Sequence, residues 1–348
     1  MPHLRDRAVG DADYDEPYSE RRHFMKYVQF GNTGQRVSRM CLGSMMFGHR
    51  CDETEAARIV SASLDRGVDN IDTAAGYSQG VTEEILGRII KGKRDGLFIG
   101  TKVTRSTDAE WILKSLDESL RRMQLDHVDL YMIHWPRPHM NVEAMMQALD
   151  QTVSAGKTRL VGCSNFPAWL IGHCNAIAER NGWAKLVCNQ VNYSAGVRGV
   201  EVEILPQARA EGIAITTYQP LMGGILAGRY VPGEPIPHGT RASGEQRMVD
   251  RLATMGDRIN RFNALARELG LLPGQLAIAW VNHSPGVTSP IVGCSTVAQV
   301  RESLAAFDRD LTDEEYSAVN AIFDDQPPSP TEWNDFPRLR ASFELLAP

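Results

Sequence analysis

The 348-residue chain has no apolar run approaching the roughly 20 residues that a helix needs to cross a bilayer. It has no dense Lys/Arg block and no basic stretch interleaved with aromatics. At a net charge of -6 it lacks the broad positive surface that nucleic acid requires. No nucleic-acid or membrane partner is expected, and a local basic pocket for a small anion stays open. The first residues are rich in Arg, Asp and Glu without an apolar stretch, so no secretory signal is expected. The six cysteines (Cys41, Cys51, Cys163, Cys174, Cys188 and Cys294) show no CxxC spacing, and several sit in apolar runs. This predicts buried, reduced thiols in a cytoplasmic protein. HxH and HExxH pairs are missing, so no metal site is expected. GxSxG is missing too, which leaves no evident covalent nucleophile.

What is present is a repeat of organisation. Hydrophobic residues make up 43% of the chain and charged residues 23%, ordinary values for a protein with a sizeable core. Residues 1–25 read as a charged N-terminal arm, and residues 327–348 as a C-terminal tail in which Trp333 and Phe336 are pocket or docking candidates. Between them, residues 26–326 read as a single domain. Tyr27, Val28 and Phe30, then Asn32-Thr33-Gly34, then Val37 predict a β-hairpin that plugs one end of the core. From Arg39 onward, short apolar segments alternate with amphipathic helical ones eight times, about 30 residues apart. Gly67, Gly156, Gly182 and Gly212 fall just past helices, where a left-handed residue ends the last turn.

Strands that are apolar throughout imply a parallel sheet covered by helices, and eight such units close a (β/α)8 TIM barrel. The competing architecture is an open doubly wound sheet. It would begin with a glycine-rich phosphate turn, whereas the first segment here runs into Gly43-Ser44-Met45-Met46-Phe47-Gly48, without GxGxxG spacing. One long insertion, Met222 to about Asp257, follows the seventh strand and reads as an irregular loop before a helical stretch.

Barrels carry reactive groups at the C-terminal ends of their strands. Here those ends supply Asp72 with Tyr77 just beyond, Lys102, His134, Ser164-Asn165, Asn189-Gln190 and Tyr218-Gln219. A phenol ordinarily titrates near pH 10, and a nearby ammonium held by a carboxylate should lower that value. Asp72, Lys102 and Tyr77 therefore predict a proton-delivery chain, with His134 donating to an oxygen placed before the phenol.

These residues also resemble a known family. Leu42-Gly43, Asp72-Thr73-Ala74 with Tyr77, Glu84-Ile85-Leu86-Gly87, Thr101-Lys102, Val128-Asp129-Leu130 leading to His134, Gly162-Cys163-Ser164-Asn165-Phe166, Asn189-Gln190-Val191 and Pro220-Leu221 with Gly223-Gly224 occur in the order typical of aldo-keto reductases. The resemblance runs from about Lys26 to Phe307 and implies a barrel that binds NADP(H) or NAD(H). It also implies a catalytic tetrad of Asp72, Tyr77, Lys102 and His134, and a carbonyl or alcohol substrate. Ser164, Asn165 and Gln190 match the residues that hold the nicotinamide carboxamide, and Tyr218 the aromatic that stacks on its ring. Gly43, Ser44, Met45, Asp72, Gln219 and Pro220 fall among the cofactor contacts as well. Leu221, Gly223 and Gly228-Arg229-Tyr230 match the pyrophosphate strap, and Arg241, in Thr240-Arg241-Ala242-Ser243, matches a phosphate contact. Gly293, Ser295, Thr296 and Gln299 match the adenosine end. Relatives often carry Lys or Arg between Gly293 and Ser295, and a Glu-Asn pair where this chain has Glu302-Ser303. Arg241 offsets that loss, so NADP(H) is favoured over NAD(H). The family also contains the β subunits of potassium channels, so a cofactor-binding regulatory role is the alternative. A homo-oligomer is left open. Trp135 is expected to line the pocket and Arg137 to be solvated.

Overall fold

Eight short strands whose side chains are almost all buried form a closed parallel barrel in the computed structural model, which describes residues 25–238 and 242–324. Two strands precede it, β1 (Tyr27–Gln29) and β2 (Arg36–Ser38). The barrel strands are β3 (Cys41–Gly43), β4 (Asn70–Asp72), β5 (Phe98–Val103), β6 (Val128–Ile133), β7 (Thr158–Ser164), β8 (Leu186–Asn192), β9 (Ala214–Tyr218) and β10 (Ser289–Gly293). β10 pairs with both β9 and β3 and so closes the ring. Every residue of β5 and β6 is buried, the pattern of strands packed on both faces, which explains why their sequences do not alternate.

Helices cover the outside: α1 (Glu53–Leu64), α2 (Val81–Ile89), α3 (Ala109–Met123), α4 (Val142–Ser154), α5 (Ala168–Asn181), α6 (Ile204–Glu211), α7 (Gln246–Thr254), α8 (Gly256–Glu268), α9 (Pro273–His283), α10 (Val297–Ala305) and α11 (Asp313–Phe323). Gly67, Gly156, Gly182 and Gly212 all take the left-handed conformation expected of them. The hairpin β1–β2 caps the N-terminal end of the barrel as the sequence predicts. Phe30 and Val37 pack there against Phe98, Leu130, Met132, Cys188 and Ala214, and the Phe30 and Phe98 rings lie 4.9 Å apart.

Two helices depart from expectation. The insertion after β9 is not irregular throughout, because α7 lies inside it, with Met248 and Leu252 buried on one face. Their spacing of four carries the signal, which the surrounding Gly and Pro residues obscure. α11 was not anticipated, although Thr312 and Glu315 form a capping box at its start and Val319, Ile322 and Phe323 bury its inner face. Met25, read as the last residue of the charged arm, is buried in the core, while residues 1–24, Thr240, Arg241, Trp333 and Phe336 lie outside the described residues. No described helix is long and apolar enough to cross a membrane.

Gly87 shows how closely the outer layer is packed. A Cβ placed on it would lie 2.4 Å from the Met123 carbonyl oxygen, a backbone atom that cannot turn aside. Gly87→Ala should therefore force α2 and α3 apart and cost about 2 kcal/mol of stability, measured by urea unfolding.

Candidate active site

Parallel pairing places Asp72, Lys102 and Gln190 around one mouth, because β4, β5 and β8 all end at the same face of the barrel. Lys102 is fully buried, yet its ammonium is completely engaged. It donates to both oxygens of Asp72 at 2.7 Å, to the Thr73 carbonyl at 2.8 Å and to the Tyr77 hydroxyl at 3.4 Å. Burial alone would lower its proton affinity. The charges and hydrogen bonds of Asp72 and Tyr77 together outweigh burial, and the net shift is upward.

Tyr77 lies on a short turn in which Ser78 and Gln79 adopt left-handed backbone angles, and its ring reaches back over the mouth. Lys102 Nζ stands 5.1 Å from that ring's centre, and the His134 ring meets it edge-on at 6.0 Å. The phenol does not shift in the direction expected from its neighbours. Burial pushes it above its ordinary value, Lys102 pulls it down, and Asp72 and Cys41 push it up again, so the net shift is upward. The expectation of a lowered phenol is thereby corrected. Desolvation of the phenolate outweighs a single ammonium whose charge is already matched by Asp72. Tyr77 is held protonated at neutral pH.

A second group of polar side chains adjoins the first. Asn165, in a left-handed conformation at the end of β7, donates to the Ser164 hydroxyl at 2.9 Å and to the His134 carbonyl at 3.2 Å. It accepts from the Tyr218 hydroxyl at 2.7 Å. The Ser164 hydroxyl donates to the Gln190 carbonyl at 2.9 Å, and the Gln190 amide donates to Asp72 Oδ1 at 2.8 Å. Ser44 contributes differently. Its amide and hydroxyl both donate to the Asp72 carbonyl, which braces the loop after β3, while Met45 on the same loop is exposed.

The remaining candidates surround this mouth. Gly43 and Gly293 pair in register on β3 and β10, and a Cβ on Gly293 would meet nothing nearer than the Gly43 carbonyl at 3.9 Å. The backbone at Gly293 is therefore open to close approach, whereas a Cβ on Gly43 would lie 2.9 Å from the Ile291 side chain. Gln219 and Met222 take left-handed angles, as do Gly223, Gly224 and Gly228, so the chain beyond Pro220 and Leu221 curls tightly before the exposed Arg229. Gly228 needs to be glycine, since a Cβ would sit 2.8 Å from Pro273. Trp135 stacks beside His134, with ring centres 6.3 Å apart. Arg137, expected to be solvated, is half-buried and donates to the Thr104 carbonyl at 3.4 Å.

At the start of α10, Thr296 caps the Gln299 amide, and the Gln299 side chain folds back onto Ser295. Sequence reasoning missed Glu55, whose carboxylate reaches from α1 and accepts from the Val297 amide at 2.8 Å. No local signal could have found it, because the pair is separated by 242 residues. A phosphate at this helix end has to compete with that carboxylate.

All six cysteines are buried, free thiols, and burial pushes Cys41 and Cys163 well above the ordinary thiol range. Among the described residues, no group of three or more His, Cys, Asp or Glu side chains could hold a metal ion. Overall the mouth offers a protonated phenol edge-on to the His134 ring, a buried charge pair behind it, and a shelf of amides and hydroxyls beside it. That donor set suits a carbonyl oxygen together with an amide-bearing ring.

Comparison with known proteins identifies the family. Residues 39–324 match the family model described as "Aldo/keto reductase family". The "Uncharacterized oxidoreductase YrpG" of Bacillus subtilis (strain 168) is 34% identical over 319 residues, which cover 86% of this chain and 96% of that protein. A "Probable voltage-gated potassium channel subunit beta" of Oryza sativa subsp. japonica is 30% identical over 322 residues, 87% of this chain and 98% of that one. A protein of the same description from Arabidopsis thaliana is 30% identical over 301 residues, 82% of this chain and 92% of that one.

Proposed function

Because the chain belongs to the aldo/keto reductase family of oxidoreductases, whose members generally bind nicotinamide cofactors, we propose that it interconverts a carbonyl and an alcohol with a bound NAD(P)(H). The observation that carries this reading is the contact chain Asp72–Lys102–Tyr77, with His134 edge-on to the phenol. A nicotinamide dinucleotide supplies hydride to the carbonyl carbon, or accepts it from the alcohol.

The chain's own residues do the rest. Ser164, Asn165 and Gln190 present hydroxyl and amide groups that fit a carboxamide, and Tyr218 flanks them. The backbone at Gly293, where a Cβ would meet nothing nearer than 3.9 Å, allows close approach of the remainder of a dinucleotide. His134 orients the carbonyl oxygen toward Tyr77. Tyr77 gives its proton to that oxygen as negative charge develops, and takes it back in the oxidative direction. Lys102 stabilises the resulting phenolate, while Asp72 holds the ammonium charged and in place. Asp72 thus supports the lysine and is not itself a base.

NADP(H) is favoured over NAD(H) because Arg241 matches a phosphate contact, while Glu55 at the start of α10 disfavours an anion there. The protein is proposed to act on a small molecule in the cytoplasm. The test is a fluorescence titration with NADPH and NADH, followed by a panel of aldehydes, ketones, sugars and alcohols scored by absorbance of the reduced nicotinamide. Failure to bind either dinucleotide would refute the proposal.

The two plant relatives favour a second reading, a cofactor-binding regulatory protein. It predicts tight cofactor retention without turnover and a stable protein partner. Turnover on any carbonyl of the panel, with no partner captured, decides for the enzyme.

A further inference from the structure

We propose that Gln190 is a positioning residue for Tyr77: its main chain is fixed by Ser164 and Asn165, and its side-chain amide donates to Asp72 and so limits how much of the Asp72 charge reaches the phenol. The inference rests on Tyr77 being the proton donor and assigns a role to a residue so far read only as a cofactor contact. Gln190 is buried, at 3% exposure, and is held from two sides. Its main-chain carbonyl accepts from the Asn165 main-chain N–H and the Ser164 hydroxyl, both at 2.9 Å, while its side-chain amide donates to Asp72 Oδ1 at 2.8 Å. A carboxylate can only accept, so the amide nitrogen must face Asp72.

The electrostatic consequence has a definite sign. The groups facing Tyr77 are Cys41 on β3, Asp72 on β4, Lys102 on β5, His134 beyond β6 and Tyr218 on β9. Of these, Asp72 disfavours the phenolate and Lys102 favours it. The Gln190 hydrogen bond draws off part of the Asp72 charge. Without it the carboxylate acts more strongly on Tyr77, and the phenol should titrate higher by roughly half a pH unit.

The test uses Gln190→Met, which keeps the length and removes the donor. Gln190→Asn, which keeps the amide but is one methylene too short to reach Asp72, guards against a packing defect. Phenolate absorbance is titrated in wild type and in each variant, with the matching Tyr77→Phe protein subtracted so that only Tyr77 contributes. Both variants are expected to shift the Tyr77 titration upward, and the alkaline limb of carbonyl reduction should move with it. Coincident Tyr77 titrations in wild type and either folded variant would overturn the inference, even if cofactor affinity fell, because Gln190 would then be a contact only. The absorbance readout needs neither turnover nor cofactor. An upward shift in a protein that binds no dinucleotide would therefore sustain this inference and refute the proposed function.

Discussion

Tyr77→Phe is expected to lower carbonyl reduction by about a thousandfold, the scale of a lost general acid, while affinity for the dinucleotide stays within about twofold of wild type. The substitution removes a single oxygen from a ring that keeps its contacts with His134 and Lys102. The loss should therefore fall on turnover and not on the Michaelis constant. The pH dependence follows from the same residue. Burial together with Asp72 holds the phenol above its ordinary value despite Lys102, so the proton needed for reduction is present throughout neutral pH. Reduction should run on a plateau and fall only as pH rises through the alkaline titration of Tyr77. Alcohol oxidation needs the phenolate and should rise over that same interval. Both limbs should vanish from the residual activity of Tyr77→Phe. Full activity in this variant would remove Tyr77 from the mechanism.

Lys102→Met should have the largest effect on stability. Lys102 is fully buried and Asp72 nearly so, and their contacts at 2.7 Å match one charge against the other. Removing the ammonium leaves a buried carboxylate with only the Gln190 amide as a side-chain donor among the described residues, a defect that costs about 3–5 kcal/mol. Urea unfolding should report this as a lower midpoint at an unchanged slope. The double variant Asp72→Asn with Lys102→Met removes both charges and should recover at least half of the loss. Turnover should fall in both variants, because Tyr77 keeps its hydroxyl but loses the cation that stabilises its phenolate. If the single variant is as stable as the double, the buried pair contributes less than its geometry implies.

Both variants act on residues that were legible in the sequence. Eight apolar segments spaced by amphipathic helices specify a parallel barrel, because strands covered on both faces need no polar alternation. Asp72, Lys102 and His134 could be placed at one mouth because parallel strands align their C-terminal ends, and β4, β5 and β6 pair in sequence order. The hairpin plug followed from Phe30 and Val37 flanking a glycine turn. α7 and α11 were harder to read. Their buried stripes are short, and the first lies within a segment rich in glycine and proline.

The charge balance at the site was not legible. Sequence reasoning sees that an ammonium and a phenol meet, but the direction in which the phenol shifts depends on how completely both are desolvated, a property of the assembled barrel. The Gln190 bridge to Asp72 and the Glu55 cap on α10 are likewise tertiary. They join residues 118 and 242 positions apart whose side chains meet only because a sheet of eight strands closes on itself. The order and periodicity of the chain determined which residues reach the mouth of the barrel. Only closure of the barrel decided what each of them touches, because burial and contact distance arise from packing between strands remote in sequence, and those two quantities set proton affinities.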